Sequence, residues 1–309
     1  MSKANPGKLQ VLEKIKRQYD QLTPAQKAIA GYILHNPESL LFMSINKMST
    51  AVQVSMASIV RFCNVLGFDG YTQLIKEAQQ ELQSQLSSSG RFQFRHTHPS
   101  TKTIKALKNW GDSTFSRILS HEIENLNQLA ESIKVEEFTQ AVNLIDKADR
   151  ILILGCMASA SLAAYMGRML CKILPDVNVV DSDDILHSTK FLQLGPRSVA
   201  FIIAFPRYPS ITVRLARNAV ERKCHIVSIT DSHLSPISGL DELTFHIPVG
   251  IPGFVDAYAA PQTFISALCA GVAEKRSNRA KFALSKYDEL AAKNDLYDNQ
   301  VWRGRPRKD

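Results

Sequence analysis

The chain has 309 residues, of which 45% are hydrophobic, and its 37 Lys and Arg against 29 Asp and Glu give a net charge of +8. This length and apolar content are enough for the cores of two ordinary domains. The sequence contains no run of about 18 apolar residues that would span a membrane, and its N-terminus lacks the apolar core of a secretory signal. We therefore expect a cytoplasmic protein without a membrane partner.

The first predicted elements are two helices. Residues 9–22 have helical periodicity. A second helix starts at Thr23, a good N-cap that is followed by Pro24 at the first helical position and by Gln26, which completes a capping box. This helix is predicted to end at Asn36, before a proline.

Residues 44–71 have the pattern of two short helices joined by a tight turn, which is the layout of a DNA-binding helix-turn-helix. The second of these helices begins after the N-cap Ser55 and ends at Gly67. Its predicted packing face consists of Ile59, Val60, Phe62, Cys63 and Leu66. A helical hairpin in any three-helix core has the same periodicity, so the pattern alone leaves both interpretations open.

A helix in the major groove presents its N-terminal residues to the base edges. Arg61 is the strongest candidate, because its donors can grip guanine O6 and N7 or clamp a phosphate. The candidate DNA-binding residues are Lys47, Ser55, Met56, Ser58 and Arg61.

The basic residues concentrate at the two ends of the chain. Residues 1–110 carry 14 Lys and Arg against 6 Asp and Glu, residues 111–274 carry 13 against 18, and residues 275–309 carry 10 against 5. Because a phosphate backbone attracts Lys and Arg whatever the base sequence, this distribution favours a DNA-binding N-terminal domain on a body that does not bind DNA. A solvated basic surface is the alternative.

The helical region also contains several short sequence motifs that are shared within a protein family. They are Leu22-Thr23, Asn36-Pro37, Val54-Ser55, Ile59-Val60-Arg61-Phe62, Leu66-Gly67-Phe68 and Gly70-Tyr71. On these motifs, residues 22–82 resemble the N-terminal domain of the RpiR/MurR family of bacterial transcription regulators, which implies binding to double-stranded operator DNA. Two mild departures are Lys47-Met48-Ser49, where the family usually has an acidic-Leu-Ala triplet, and Ser58 in place of a common Thr.

A linker is predicted between two domains. Residues 84–103 mix Ser, Gly, Pro and basic residues without a sustained period, which is typical of a boundary. We assign residues 1–86 to the helix-turn-helix domain, 87–114 to the linker and 115–275 to a second domain that opens with a helix over 115–132. His96 and His98 lie in the linker, and no third ligand for a metal lies near them.

From residue 150 onward, short apolar runs alternate with helical segments. The predicted strands are 151–154, 177–180, 199–205, 226–230 and 243–249, and the predicted helices are 159–173, 183–192, 210–222 and 259–273. This alternation predicts an α/β domain in which a five-stranded parallel sheet lies between two layers of helices. Ligands in such sheets bind at the carboxyl ends of the strands.

Polar residues follow four of these strands. After the first strand, Gly155 leads into a helix start that carries Ser159, a geometry that can hold an anion, although a simple strand-helix turn has the same pattern. The candidate effector-binding residues are Ser159, Arg207, Tyr208, Ser210, Asp231 and Ser232.

In the order and spacing of its elements, the region 120–275 resembles the sugar isomerase (SIS) fold, a phosphosugar-binding module that forms the second half of the RpiR/MurR family. Phosphate-holding SIS domains usually carry a Ser-x-Ser-Gly-x-Thr loop after the third strand. The corresponding positions are Ala204, Pro206, Arg207 and Pro209, so the hydroxyl cradle is absent. At this loop, Arg207 either binds an anion or forms a structural salt bridge. Tyr208 either stacks on a ligand or hydrogen-bonds to it through its hydroxyl.

Some SIS proteins are isomerases, which need a base near the sugar carbons as well as a phosphate anchor. The candidate bases are His187, Glu221, His225, His233 and His246. We expect His225 and His246 at strand starts, away from the ligand edge, and His187 in a helix that could approach it. With one poorly placed histidine and no cradle, no catalytic residue and no enzymatic activity are predicted.

The five cysteines are Cys63, Cys156, Cys171, Cys224 and Cys269, and none forms a CxxC motif. We expect them to be packing residues, with no metal site and no cofactor. Residues 276–309 are predicted to form a basic tail, in which Arg303-Gly304-Arg305-Pro306 is similar to an AT-hook. Such a segment binds the minor groove or attracts phosphate without specificity.

The sequence thus predicts a DNA-binding transcription regulator whose second domain senses a small-molecule effector, a sugar phosphate or a related anion. A homodimer or homotetramer is implied, because two helix-turn-helix domains are needed to read a palindromic site. The alternatives are a SIS-fold sugar-phosphate isomerase and a non-specific DNA-associated protein.

Overall fold

The structure is a computed structural model that describes residues 10–35, 43–86, 110–111, 113–182, 184–233, 235–240, 243–250, 254–294 and 296. The chain divides into two compact units, Met1–Glu124 with Gly250–Ala257 and Asn125–Val249 with Tyr258–Asp309. The predicted helix end at Asn36, most of the predicted linker and the RGRP segment lie outside the described residues.

The helix-turn-helix region of the first unit is all-helical, as predicted. Its helices are α1 (Gln10–Gln18), α2 (Pro24–His35), α3 (Ile45–Val52), α4 (Met56–Val65) and α5 (Gly70–Leu86). They enclose one apolar core, in which the fully buried side chains include Ile15, Ile29, Ile33, Met48, Ile59, Phe62 and Leu74. The predicted capping box is confirmed, because the backbone N–H of Thr23 donates to Oε1 of Gln26 over 2.9 Å.

The second unit is an α/β domain built on a five-stranded sheet. The strands are β1 (Arg150–Leu154), β2 (Val177–Val180), β3 (Ser198–Ile203), β4 (His225–Thr230) and β5 (Leu243–His246). Their order is β2-β1-β3-β4-β5, and every neighbouring pair is parallel, with Ile153 of β1 opposite both Val179 of β2 and Phe201 of β3. The predicted five-stranded parallel sheet is confirmed.

Helices cover both faces of this sheet. Downstream of α5, the helices of the described residues are α6 (Thr114–Ser132), α7 (Val135–Lys147), α8 (Ala160–Leu170), α9 (Ile185–Phe191), α10 (Ser210–Glu221), α11 (Ala259–Lys275) and α12 (Ser277–Lys293). Alternate strand residues point to opposite faces, so Ile151 and Ile153 join one core with α7, α8 and α11, whereas Leu152 and Leu154 join another with α9 and α10. The domain is a three-layer sandwich, as predicted.

Two helices of the second unit were missed by the sequence analysis. Helix α7 was not predicted, and α12 occupies residues 277–293, which were assigned to a basic tail. Ala280 and Ala291 of α12 are buried, and the Lys172 ammonium lies 5.0 Å from the centre of the Tyr287 ring. The packing stripe of α12 consists mainly of alanines among charged residues, so its apolar signal in the sequence is weak. Within the described residues, no helix is long and apolar enough to cross a membrane.

Candidate functional site

Three serine hydroxyls hold the ends of α3 and α4 and the turn between them. The Ser44 and Ser55 hydroxyls cap their helices by accepting from the backbone N–H of Lys47 at 3.3 Å and of Ser58 at 3.2 Å. The Ser49 hydroxyl donates to the carbonyl of Val54 over 2.6 Å and holds the turn closed. These bonds fix the direction in which α4 leaves the turn, and α4 is the helix that would enter the major groove.

The first turns of α4 carry polar groups that hydrogen-bond to one another. The Ser55 and Ser58 hydroxyls are 2.9 Å apart, and Nη2 of Arg61 donates to the Ser58 hydroxyl over 3.4 Å. Ser55, Met56 and Arg61 are exposed, and Ser58 is half-buried. Four of the five candidate DNA-binding residues therefore lie at the N-cap or in the first two turns of α4, the end of the helix that a groove-binding helix presents to the bases. The fifth, Lys47, is exposed on α3.

The predicted packing face of α4 was wrong at one position. Ile59, Phe62, Cys63 and Leu66 are buried, but Val60 is 37% exposed. Ala57 and Asn64 are also exposed, and the sequence analysis did not single them out. Helical spacing could have found all three, because the four buried residues already complete one face, Ala57 and Asn64 fall on the opposite side, and Val60 falls on the flank.

A crevice is expected at the carboxyl edge of the sheet in the second unit. Strand β1 lies between β2 and β3, and the helix after β1 covers one face whereas the helix after β3 covers the other. The two connections therefore diverge at this point, which is where ligands bind in open α/β sheets. The loop after β1 and the loop after β3 flank the crevice.

In the loop after β1, the backbone of Gly155 lies close to the carbonyl group of Ser159. A Cβ atom on Gly155 would lie 2.9 Å from the Ser159 carbonyl oxygen, so the turn requires glycine. Ser159 itself is only 2% exposed, whereas Met157, which has a positive φ of 56°, is 75% exposed. The predicted serine is thus enclosed, and an apolar side chain stands at the surface of this loop.

The loop after β3 offers few backbone amides of its own between β3 and α10. Pro206 and Pro209 have no N–H, and the N–H of Tyr208 donates to the carbonyl of Phe205 over 2.9 Å. Arg207 and Tyr208 have positive φ values of 81° and 25°, which are uncommon for residues with a Cβ. Arg207 is exposed, so a ligand at this loop would meet the Arg207 side chain together with the first N–H groups of α10.

Tyr208 and Asp231 bring the ends of two neighbouring strands together. The Tyr208 hydroxyl lies 2.9 Å and 3.1 Å from the two carboxylate oxygens of Asp231, and Thr230 donates to the same carboxylate over 3.3 Å. Burial raises the pKa of Asp231, although these hydrogen bonds oppose the change. Burial, together with the nearby carboxylate, also raises the pKa of Tyr208. Of the remaining predicted effector residues, Ser210 is exposed as the first residue of α10 and Ser232 is half-buried.

The placement predicted for His246 was wrong. His246 is the last residue of β5, at the carboxyl edge, because β5 ends at residue 246 rather than 249. Its Nε2 lies 3.1 Å from the Ser238 hydroxyl, and its ring centre lies 3.7 Å from that of His233. Burial and then the neighbouring His233 lower the pKa of His246. His225 is the first residue of β4, as predicted.

His187 lies on the short helix α9 after β2. Its Nδ1 is 2.9 Å from the Ser182 hydroxyl and 3.6 Å from a carboxylate oxygen of Asp181. These three residues follow the carboxyl end of β2, so His187 is at the ligand edge of the sheet.

The cysteines are unpaired, and four of the five are buried. Burial raises the pKa of the Cys63 and Cys269 thiols to about 12, which keeps them as neutral packing groups. Cys171 is exposed, contrary to the prediction that the cysteines are packing residues. Among the described residues, no group of three or more His, Cys, Asp or Glu side chains is arranged to hold a metal ion.

Two family models match this chain. Residues 9–85 match the helix-turn-helix domain of the rpiR family, and residues 144–270 match the SIS domain. The chain is 24% identical over 303 residues to the HTH-type transcriptional regulator HexR of Escherichia coli, a match that covers 95% of this chain and 98% of that protein. It is 26% identical over 223 residues to the bifunctional protein glk of Burkholderia mallei, covering 72% of this chain and 33% of that protein.

Two solved structures share the fold. The sugar isomerase domain of an RpiR transcription factor from Sphaerobacter thermophilus has a TM-score of 0.53 and 24% identity, and the match covers 56% of this chain and 97% of that domain. The Vibrio vulnificus NanR protein, solved in complex with ManNAc-6P, has a TM-score of 0.59 and 17% identity, and the match covers 94% of this chain and 100% of that protein.

Proposed function

The chain belongs to the RpiR family of transcription regulators, since it joins an rpiR-family helix-turn-helix domain to a SIS domain, and we propose that it binds operator DNA through α3 and α4. A small metabolite, a sugar phosphate or a related anion, binds at the carboxyl edge of the SIS sheet and changes the affinity for DNA. By linkage, DNA then changes the affinity for the metabolite by the same factor.

The observation that carries the DNA-binding part is the N-terminal half of α4. Its hydroxyl groups and the Arg61 guanidinium are linked by hydrogen bonds, and Arg61 and Ser55 are exposed. A guanidinium held in this way can donate two bonds to guanine or to a phosphate. Lys47 on α3 supplies a positive charge next to the turn, where the first helix of the motif crosses the phosphate backbone.

The test is selection of bound fragments from fragmented genomic DNA at physiological salt. We expect enrichment of one family of fragments, and the duplex that carries its shared sequence is called the selected duplex below. Arg61→Ala should weaken binding to the selected duplex by at least about fivefold, which corresponds to the lower end of the range for a bidentate base contact, about 1 kcal/mol. Arg217→Ala, which removes the same charge from the exposed surface of α10, is the matched control and should bind almost normally. An unenriched pool would contradict the proposal.

We further propose that the protein acts as a homodimer or homotetramer. Two helix-turn-helix domains related by a two-fold axis read half-sites about 34 Å apart, one turn of DNA. Sedimentation of the free protein and of its complex with the selected duplex would measure both assemblies. A monomer that binds a single half-site in both experiments would contradict this part of the proposal.

The proposed effector site comprises Arg207 as the anion contact, with Ser159, Tyr208, Ser210, Asp231 and Ser232 around it. Its support is the position of these residues after β1, β3 and β4 at the crevice, and the presence of ManNAc-6P in the solved structure of a protein with this fold. Thermal-shift screening against sugar phosphates, sugar acids and amino acids is the test. A compound that stabilises the wild type should stabilise Arg207→Ala less, and equal stabilisation would remove Arg207 from the site.

A SIS-fold isomerase is the second candidate. His246 favours it, because this residue lies at the carboxyl edge of the sheet, whereas the sequence analysis placed it away from that edge. A neutral imidazole at the ligand edge can act as a base. We nevertheless propose no catalytic step, because the loop after β3 lacks the hydroxyl cradle that phosphate-holding SIS domains carry. Turnover of a sugar phosphate by a chain that lacks residues 1–86 would favour the enzyme. Binding that is indifferent to base sequence would favour a non-specific DNA-associated protein.

A further inference from the structure

Helix α4 exposes apolar side chains where the proposed DNA contacts lie. Met56 is 50% exposed and Val60 is 37% exposed, and Ala57 is exposed between them. Met56 and Val60 are one helical turn apart, so they stand on the same side of the helix. Together, Met56, Ala57 and Val60 are called the apolar reading face.

The core does not account for this face. Ile59, Phe62 and Cys63 of the same helix are at most 1% exposed and already fill the interior. The apolar reading face lies beside Arg61, on the part of α4 that a helix-turn-helix presents to DNA. Exposed to water, the methyl and methylene groups of this face contribute no favourable free energy. In the major groove they contribute it only if they contact another apolar group and water is excluded from both.

The major groove offers one such partner. Among the four bases, only thymine displays an apolar group there, the methyl group on C5. Cytosine presents an amino donor at the neighbouring position, and the purines present N7 together with O6 or an amino group. Apolar side chains next to a base-reading arginine therefore have the chemistry that recognises thymine methyl groups.

We propose that the apolar reading face selects thymine at one or two positions of each operator half-site by contact with its 5-methyl group. Met56 and Val60 are about 6 Å apart along the helix axis, and successive bases of a strand are about 3.4 Å apart, so the two side chains reach neighbouring steps. The proposal rests on the proposed function, because it assigns the base that the same helix reads.

The test replaces thymine by uracil in the selected duplex, one position at a time. Uracil pairs with adenine in the same way and presents the same O4 acceptor, so only the methyl group is lost. The wild-type protein should bind about fourfold more weakly for each methyl contact removed, from the transfer free energy of one buried carbon. Uracil at the remaining positions should leave the affinity unchanged.

Protein variants connect the effect to particular side chains. Met56→Ala and Val60→Ala should each bind the thymine duplex more weakly and lose the preference for thymine over uracil at one position. Val65→Ala is the matched control, because Val65 is 47% exposed at the far end of the same helix and should keep the full preference. Thermal unfolding should be close to wild type for all three, and Val60→Thr, which keeps one methyl group, provides a second variant if Val60→Ala is poorly folded.

The outcomes separate this inference from the function on which it rests. If no duplex is enriched, the DNA-binding function itself fails. If a duplex is enriched and bound, but its half-site has no thymine or its fully uracil-substituted form binds equally well, only the inference is overturned. Retention of the thymine preference by both alanine variants also overturns it, whereas its loss in one variant at one position supports it.

Discussion

The Tyr208 hydroxyl bonds both carboxylate oxygens of Asp231, at 2.9 Å and 3.1 Å, and so ties the loop after β3 to the end of β4. Asp231 is held in a site where burial raises its pKa. In the folded protein its charged form is therefore less favourable than in the unfolded chain, and Tyr208 reduces that cost.

This relationship predicts a pH dependence of stability. A carboxyl group whose pKa is raised on folding contributes stability below its unfolded pKa, and that contribution is lost as the pH rises through the folded value. Asp231→Asn keeps an acceptor for Tyr208 but does not ionise. We expect the free energy of unfolding of Asp231→Asn to improve relative to wild type as the pH rises from about 4 to about 8, measured by urea unfolding. A difference that is constant over this range would show that Asp231 does not titrate in this way.

Tyr208→Phe should destabilise the SIS domain. The change removes the closer of two hydroxyl donors to the half-buried Asp231 carboxylate and leaves only that of Thr230. The loss of a hydrogen bond to a charged group costs about 1.5–3 kcal/mol. The loss should be smaller in the Asp231→Asn background, because an amide acceptor needs the donor less than a carboxylate does. Equal losses in the two backgrounds, measured as a double-mutant cycle, would mean that the hydroxyl acts independently of the charge.

The two serine caps of the helix-turn-helix provide a matched pair. Ser44→Ala and Ser55→Ala each remove an N-cap and should each cost about 1 kcal/mol of stability. Only Ser55 also bonds Ser58, which accepts from Arg61. Ser55→Ala should therefore weaken binding to the selected duplex more than Ser44→Ala does, when both are measured well below their unfolding temperatures. Equal effects on binding would show that the hydrogen-bonded chain does not position Arg61.

Two helix glycines should respond to alanine in opposite directions. A Cβ atom on Gly167 of α8 would overlap Cγ2 of Val179 on β2, so Gly167→Ala should destabilise the protein by about 1–3 kcal/mol. A Cβ atom on Gly31 of α2 would have no atom within 4 Å, so Gly31→Ala should stabilise it by up to about 1 kcal/mol. Thermal unfolding measures both changes. Combining Gly167→Ala with Val179→Ala should recover part of the loss if overlap is its cause.

The neighbouring imidazoles of His233 and His246 give a second pH prediction. The pKa of His246 is lowered in the fold, so its neutral form contributes stability that is present above its unfolded pKa and is lost as the pH falls toward the folded value. His233→Ala removes one cause of this shift and should raise the pKa of His246, which can be followed by NMR titration of the ring protons. If the pKa of His246 is unchanged in His233→Ala, burial alone lowers it.

The sequence predicted the architecture well because the strong local signals agreed with it. The continuous apolar runs at residues 151–154 and 199–205, alternating with helical segments, indicated buried strands in a covered sheet, and the strands found there are buried on both faces. Ser55 and Gly67 likewise marked the two ends of α4, where the structure places a serine cap and a left-handed glycine.

The misses have physical causes that local patterns do not carry. Val60 was assigned to the core because valine is apolar, although the opposite face of α4 was already complete. His246 was placed at a strand start because the apolar run continues to Val249, beyond the last residue that pairs with β4. Helix α12 was read as a tail because small residues form its packing stripe. In each case the outcome depends on contacts between elements that are distant in the sequence.

The loop after β3 has a further consequence for how this protein changes over time. A backbone amide is present whichever residue a codon specifies, so a cradle of amides keeps its preference for phosphate through most mutations. Here Pro206, Pro209 and the bonded N–H of Tyr208 withdraw three amides, so in the proposed site a larger share of recognition falls to side chains such as Arg207. If Arg207 contacts the effector as proposed, one base change in its codon alters what the site accepts without disturbing the sheet, and a gene copy acquires a new signal in a single step.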